Sequence, residues 1–416
     1  MSTITLMCGD FEVLRFDFKS HLFEVLNSNL LPFELKGVVR TLPPNADLNT
    51  NLQILDTNRQ AITNWLSHRV LSLSRTNAKK LYNALGVDQV SDVGTYMKIA
   101  ALCNGVSILD NYWLRLHTGP QNWKDINIRH NSLNNTVAQI ALHGYSISVE
   151  GSLTTPELTT DGVYPKAWRR VGRDLYLYKA DRTICGKSLT EVMVSNILDK
   201  TNAQHCMYEA VTDEGKQMCR CKVLTDDKHS IVPAYDYLVY CKHNNVDFLK
   251  AIMDLDKESI HKMCIVDYLI SNSDRHSRNW GFLYKPNTME LIGCHPLFDH
   301  NNAFDESFMK NRDSVYRFNK RSMRETAKAA MEEVDFHFIS EIIRDDFLTD
   351  EQYDEFMWRA NDIGVTVQCT YTDRILEAMR EVGVNWHITE VKQYLPKEVM
   401  DYSAIKSTLE FMLSLD

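Results

Sequence analysis

Two acids and one amide stand out for the chemistry that their spacing allows. In Ser273-Asp274-Arg275-His276-Ser277-Arg278-Asn279 an aspartate precedes an asparagine by five residues in a polar loop. An aspartate can align a hydroxyl and accept its proton, and an asparagine oxygen suits a hard divalent cation. Further on, in Pro296-Leu297-Phe298-Asp299-His300-Asn301, an apolar approach ends abruptly in an acid. Asn279 and Asp299, with phosphate oxygens and water, would complete a magnesium shell. Phosphoryl transfer is mostly positioning and charge neutralisation, and this set supplies both. An Asp-x-x-x-x-Asn spacing also recurs by chance, and such residues usually make turns and caps. What favours chemistry is the context: a helix before the loop, a hairpin after it and an acid at the hairpin's exit.

Upstream, Leu175-Tyr176-Leu177-Tyr178-Lys179 places a lysine at the end of a strand, and Glu191 opens a helix twelve residues later. A strand lysine paired with a helix glutamate is the device that holds the α- and β-phosphates of a nucleotide. Alone, a strand-end lysine is a solvated charge; its order before helix, hairpin and acidic loop raises its weight. A loop to cover the phosphates is expected at Thr159-Thr160-Asp161-Gly162-Val163-Tyr164-Pro165-Lys166, although it is neither a Gly-x-Gly-x-x-Gly loop nor a Walker A motif. Val223 and Leu224, after the second strand pair, are the expected hinge for an adenine ring.

The elements that must position these groups follow from periodicity. Residues 1–20 alternate as a short strand pair, whereas 20–35, 51–86 and much of 94–116 carry helical spacing. Gly86 is placed to stop a helix over 77–85. Strands are expected at 164–171, 174–180, 206–212 and 217–224, the last two joined by Asp213-Glu214-Gly215. A helix is expected at 189–198, and the chain then reads as largely helical to about 270. A hairpin follows at 280–285 and 288–294, and helices dominate from 320. Trp280 is expected to pack under the catalytic loop. The fold class is α+β. The expected domains are a mainly helical N-terminal region (1–135), a small sheet-rich lobe (136–226) and a helical lobe carrying the catalytic loop (227–416).

Composition narrows the class. A chain of 416 residues with 44% hydrophobic and 24% charged residues is ordinary for a globular protein. A net charge of −9 argues against binding nucleic acid through bulk positive charge, so direct nucleic-acid binding is not expected. The ten cysteines show no Cys-x-x-Cys pair, which points to buried, reduced thiols and a cytoplasmic protein. No apolar run reaches the roughly 20 residues of a membrane span, and the N-terminus lacks a signal-peptide pattern.

These residues resemble those of the HipA-like serine/threonine kinases. Thr159-x-x-Gly162-x-x-x-Lys166 is similar to that family's Ser-x-x-Gly-x-x-x-Lys loop, with threonine in place of serine. Lys179 matches the strand lysine. Asp274, His276 and Asn279 match its Asp-x-His-x-Lys-Asn catalytic loop, with Arg278 where lysine is usual, and Asp299 matches the second metal-binding acid. The likeness covers about residues 150–310 and leaves the first 140 unmatched. It implies a bilobal protein-kinase-like fold, ATP and Mg2+ as cofactors, and a protein substrate phosphorylated on serine or threonine. It also implies toxin-type activity, an antitoxin-like protein partner, and autophosphorylation near the nucleotide, at Thr159, Thr160 or Ser152. On this reading Asp274 is the catalytic acid-base group and His276 supports the loop or the transferred phosphate. Asp274-Arg275-His276-x-x-Asn279 also resembles the loop of phosphoinositide 3- and 4-kinases, but Asp299 lacks the glycine that follows there. Two other readings stay open: a kinase for a small molecule or lipid, and a catalytically silent kinase-fold binding module.

Overall fold

A computed structural model describes residues 3–20, 22–87, 93–116, 121–151, 153–160, 162–181, 186–316, 319–340, 342, 348–367, 371–395 and 402–414. The chain forms two compact units that interleave in sequence. The first comprises Met1–Val192, Cys206–Ile260 and Arg275–Asn301; the second comprises Met193–His205, His261–Asp274 and Asn302–Asp416. The expected cuts at 135 and 226 both fall inside the first unit.

Among the described residues the first unit holds three antiparallel sheets. Strands β1 (Ile4–Cys8), β2 (Phe11–Asp17), β3 (Leu22–Val25) and β4 (Tyr112–Leu116) form one, in the order β3-β2-β1-β4. The second, ordered β5-β6-β8-β7, uses β5 (Lys166–Val171), β6 (Asp174–Ala180), β7 (Tyr208–Asp213) and β8 (Lys216–Lys222). The third, ordered β11-β10-β9, uses β9 (Ser230–Pro233), β10 (Gly281–Lys285) and β11 (Glu290–Cys294). Glu214 and Gly215, with φ of 49° and 77°, make the left-handed two-residue turn that matches strand twist between β7 and β8.

The helices of this unit are α1 (Leu48–Ser67), α2 (Ala78–Ala84), α3 (Val93–Leu102), α4 (Trp123–Ile126), α5 (Asn135–His143) and α7 (Ala234–His243), with α6 (Lys187–Leu198) lying between α5 and α7 in sequence. Asp47 caps α1 by accepting from Thr50 N, and Asn134 caps α5 by accepting from Val137 N. The chain crosses between units along α6 and along α8 (Phe248–Leu269). The second unit is built from helices at Met323–Met331, Asp350–Asp362, Tyr371–Val382, Ile388–Tyr394 and Tyr402–Leu413. Ile375, Ala378, Val391, Ile405 and Leu409 form an apolar cluster there.

The four-stranded second sheet buries both faces. Ala167, Tyr178, Ala180 and Met218 pack with Ala138, Ala141 and Leu142 of α5. On the other face, Cys206, Tyr208, Cys219 and Cys221 cluster with Leu177, Val192, Leu224 and Phe298. The Cys-x-Cys of β8 is thus two small apolar residues on one buried face, and its thiols are free. Trp168 and Leu175 join Met7 and Trp113 in a further cluster, so the N-terminal sheet and the second sheet share a core.

Three stretches differ from what periodicity predicts. Within the stretch 22–35, read as helical, the chain forms β3 and two 3₁₀ turns, Ser28–Leu30 and Phe33–Leu35, because the Asn27 side chain caps the first turn and Pro32 separates them. The helical spacing read within 94–116 becomes a helix only as far as Leu102, since Asn104 and Gly105 take left-handed φ of 52° and 60°. Tyr112–Leu116 then pairs with β1, so the N-terminal region is sheet as well as helix. Strand β9 escaped notice because it spans four residues and ends in proline.

Candidate active site

Three charged side chains from three separate segments meet in the first unit. Alternation along β6 sets Leu177 and Lys179 on one face, and Lys179 sits beside Cys219 of β8 and Lys166 of β5 in register. From α6, Glu191 reaches the lysine with Oε1 2.5 Å from Nζ. Asp299, just beyond the β10–β11 hairpin, places Oδ1 3.0 Å from the same Nζ. The lysine also lies 5.1 Å from the ring centre of Tyr208. His300 N donates to Glu191 Oε2 at 2.9 Å, which ties the acidic loop to the helix. The side chains of Lys179 and Glu191 are 7% and 1% exposed, so water screens their attraction little.

The electrostatics follow from that burial. Burial works against the charged Lys179, but Asp299 and then Glu191 outweigh it and hold the ammonium well above its ordinary range. Burial alone would raise the Asp299 pKa, yet Lys179 and Lys166 keep its carboxyl well below the usual carboxylate range. Glu191 moves the other way, because burial dominates and Asp299 adds to it, while Lys179 opposes. Asp299 has a φ of 61°, a left-handed conformation uncommon for a residue other than glycine and frequent at functional sites.

Arg275, which sequence reasoning did not single out, organises the loop that carries Asn279. Its side chain is 1% exposed, and Nη1 donates to Asn279 O at 2.7 Å and to Phe298 O at 2.8 Å. One guanidinium thereby clips together the backbones of Asn279 and of the residue before Asp299. Its signal in sequence was only its position beside Asp274. His276 serves the same turn, accepting from Arg278 N at 3.2 Å through Nδ1 while its carbonyl accepts from Asn279 N at 2.9 Å. Trp280 is buried against Phe248 and Phe282 as expected. Gly281 has no side chain to meet Val232 O, which allows β10 to run close against β9 directly after this loop.

Asp274 belongs to the second unit and is held there by side-chain amides. Asn302 Nδ2 donates to Asp274 Oδ2 at 2.8 Å, and Asp274 N donates to Asn272 Oδ1 at 3.4 Å. Asn272 in turn donates to Asp267 Oδ1 at 2.9 Å, and Tyr316 donates to Asp267 Oδ2 at 2.6 Å. Asn302 and Asn272 were also missed, because a neutral amide in a loop carries no sequence signal of its own.

The expected phosphate-covering loop divides into residues that face the charged cluster and residues that do not. A Cβ on Gly162, whose φ is 103°, would collide with Lys166 Nζ, so this glycine makes room for the ammonium. Lys166 also contributes to holding Asp299 ionised. Thr159 is 6% exposed and its hydroxyl donates to Val106 O at 2.6 Å, which commits it to the core rather than to a ligand. Thr160 donates to Pro156 O at 2.6 Å and accepts from Trp168 Nε1 at 3.0 Å. Ser152 and Asp161 lie outside the described residues. At the expected hinge, Val223 N donates to Leu175 O at 2.9 Å, so this amide extends the sheet; Leu224 packs against the Cys206 cluster.

Asp299 and Asn279 fit a magnesium ion by donor chemistry. One supplies a carboxylate that neighbouring ammonium groups keep ionised, the other an amide oxygen, and both are hard donors. Among the described residues no group of three or more His, Cys, Asp or Glu is arranged to hold a metal by itself. Nucleotide oxygens and water would have to supply the remaining ligands. No helix among the described residues is long and apolar enough to cross a membrane.

No protein-family model matches the chain, and no curated protein matches it in sequence. Among solved structures it is similar to HipA of Shewanella oneidensis MR-1, solved as a toxin–antitoxin complex with HipB and operator DNA. That match has 15% identity and a TM-score of 0.47, covering 99% of this chain and 96% of that one. It is also similar to the Helicobacter pylori proinflammatory kinase CtkA, with 14% identity and a TM-score of 0.33, covering 49% of this chain and 90% of that one.

Proposed function

We propose that this chain is an ATP- and magnesium-dependent phosphotransferase acting on serine or threonine of a protein. The observation that carries the reading is the meeting of buried Lys179 and Glu191 with half-buried Asp299 on strand, helix and post-hairpin loop. Lys179, oriented by Glu191, would hold nucleotide phosphates, with Lys166 beside it on the neighbouring strand. Asn279 and Asp299 would hold the magnesium, which when bound neutralises charge on the phosphates. Asp274, oriented by the Asn302 amide, would align the target hydroxyl and take its proton. His276 and Arg275 keep the loop in shape. Protein substrates and an antitoxin-like partner rest on the motif resemblance, and a cytoplasmic setting rests on the unpatterned cysteines.

Labelled ATP with magnesium, read as label transferred to protein, tests the reading. Asp274→Ala should lower transfer by about 10²- to 10⁴-fold while nucleotide binding stays near wild type. Asp299→Ala should weaken Mg-ATP binding itself. Full transfer by both variants would overturn the assignment, and wild type that binds no nucleotide would favour a silent scaffold.

A further inference from the structure

The N-terminal region contributes none of the phosphoryl-transfer residues, yet the connector between α1 and α2 touches two segments beside them. Arg75 is 4% exposed. Its guanidinium donates to Thr160 O at 3.0 Å, to Glu157 O at 3.5 Å and to Lys166 O. Next to it, Thr76 donates to Val163 O from its backbone N at 3.0 Å and from Oγ1 at 3.2 Å. The accepting carbonyls mark the start, middle and end of the loop that carries Gly162 and Lys166. At the connector's other end, the ring nitrogens of His68 lie 2.9 and 3.1 Å from Arg278 Nη2, one residue before Asn279. The connector is itself anchored at the end of α5: Asn77 Nδ2 donates to Ala141 O at 3.1 Å, and just beyond it Lys80 Nζ of α2 donates to Gly144 O at 2.6 Å.

A planar guanidinium presents five donors in a fixed fork, which suits it to gathering several carbonyls at once. A loop held this way is ordered before any ligand arrives, and pre-ordering is returned as affinity. We propose that the connector 68–77 is a clasp that pre-forms the phosphate-covering loop, with Arg75 as its positioning residue. Nucleotide affinity is then set from a segment outside the phosphoryl-transfer set. This rests on the phosphotransferase reading above.

The test compares full-length wild type with Arg75→Met, Arg75→Lys and Thr76→Val, by amide hydrogen exchange and by Mg-ATP titration with transfer kinetics. Arg75→Met should speed exchange across 157–166 and raise KM for Mg-ATP by about tenfold, with kcat within about twofold. Arg75→Lys should fall between it and wild type, and Thr76→Val should act in the same direction but less. His68→Ala should speed exchange at 276–279 and leave 157–166 unchanged. If Arg75→Met does not fold, Arg75→Lys and Thr76→Val carry the comparison. Unchanged loop exchange in the Arg75 variants, or a fall in kcat at constant KM, overturns the clasp. Wild type that binds no Mg-ATP overturns the phosphotransferase reading and the nucleotide half of the proposal, while exchange still decides whether Arg75 orders the loop.

Discussion

The Lys179 cluster and the 157–166 loop are held by opposite means. In the cluster, charged side chains from three segments neutralise one another where water is scarce, so each depends on the others. In the loop, neutral backbone carbonyls are gathered by one guanidinium and one threonine, and the bonds are many and individually modest. The first arrangement should fail abruptly when one member is removed. The second should loosen by degrees. On the proposed reading, a site that combines them would have a rigid phosphate anchor and an adjustable cover.

The largest effect should come from Lys179→Met, which leaves buried Glu191 and half-buried Asp299 without their cation. A loss of about 3–5 kcal/mol in urea denaturation is expected, with transfer abolished. Adding Glu191→Gln should recover part of the stability and none of the activity. An unchanged denaturation midpoint in the single variant would erase the contrast between cluster and loop.

The next effect concerns the approach to Asp299. His295 is buried; burial, reinforced by nearby Arg275 and opposed by its bond to Pro296 O, pushes its pKa down to about 4. The unfolded chain takes up this proton near pH 6.5, the folded chain only near 4, so in that window the unfolded state binds more protons. The contribution is therefore fully present above pH 6.5 and is lost as pH falls, by about 3 kcal/mol in all. Denaturation curves at pH 7 and 4.5 should show this loss in wild type and a flatter response in His295→Phe. Equal slopes would mean that another group supplies the acid sensitivity.

The smallest effect is expected in the loop. Gly162→Ala puts a Cβ at a φ of 103° and displaces Lys166 Nζ. Because an ammonium can swing aside, the cost should be about 1–2 kcal/mol, seen as a several-fold rise in KM for Mg-ATP with a small drop in melting temperature. A loss as large as that of Lys179→Met would show the loop to be as brittle as the cluster.

Much of the scaffold around the cluster was legible. The alternation of 174–180, the Asp-Glu-Gly turn and the hairpin around Pro286-Asn287 all mark strands by local chemistry, and β6, β7–β8 and β10–β11 stand there. The strands β4 and β9 were hidden, because a five- or four-residue segment becomes a strand only when a distant partner pairs with it. Asn302 and Arg75 were hidden for a related reason: their partners lie 28 and 85 residues away for the Asp274 and Thr160 contacts.

What the amino-acid order determined by itself is which groups can do chemistry: an acid and an amide five apart, a strand-end lysine, a helix glutamate and an acid after a hairpin. Those are properties of residue type and short spacing. Tertiary structure alone decided which oxygens and nitrogens these groups face. It turned Thr159 into the core, set Lys166 opposite Lys179 and made Arg275 the clip between two loops. The physical reason is that buried polar groups must find partners wherever the packed chain supplies them, and backbone carbonyls, which look alike in every sequence, were the partners that Arg75 and Arg275 found.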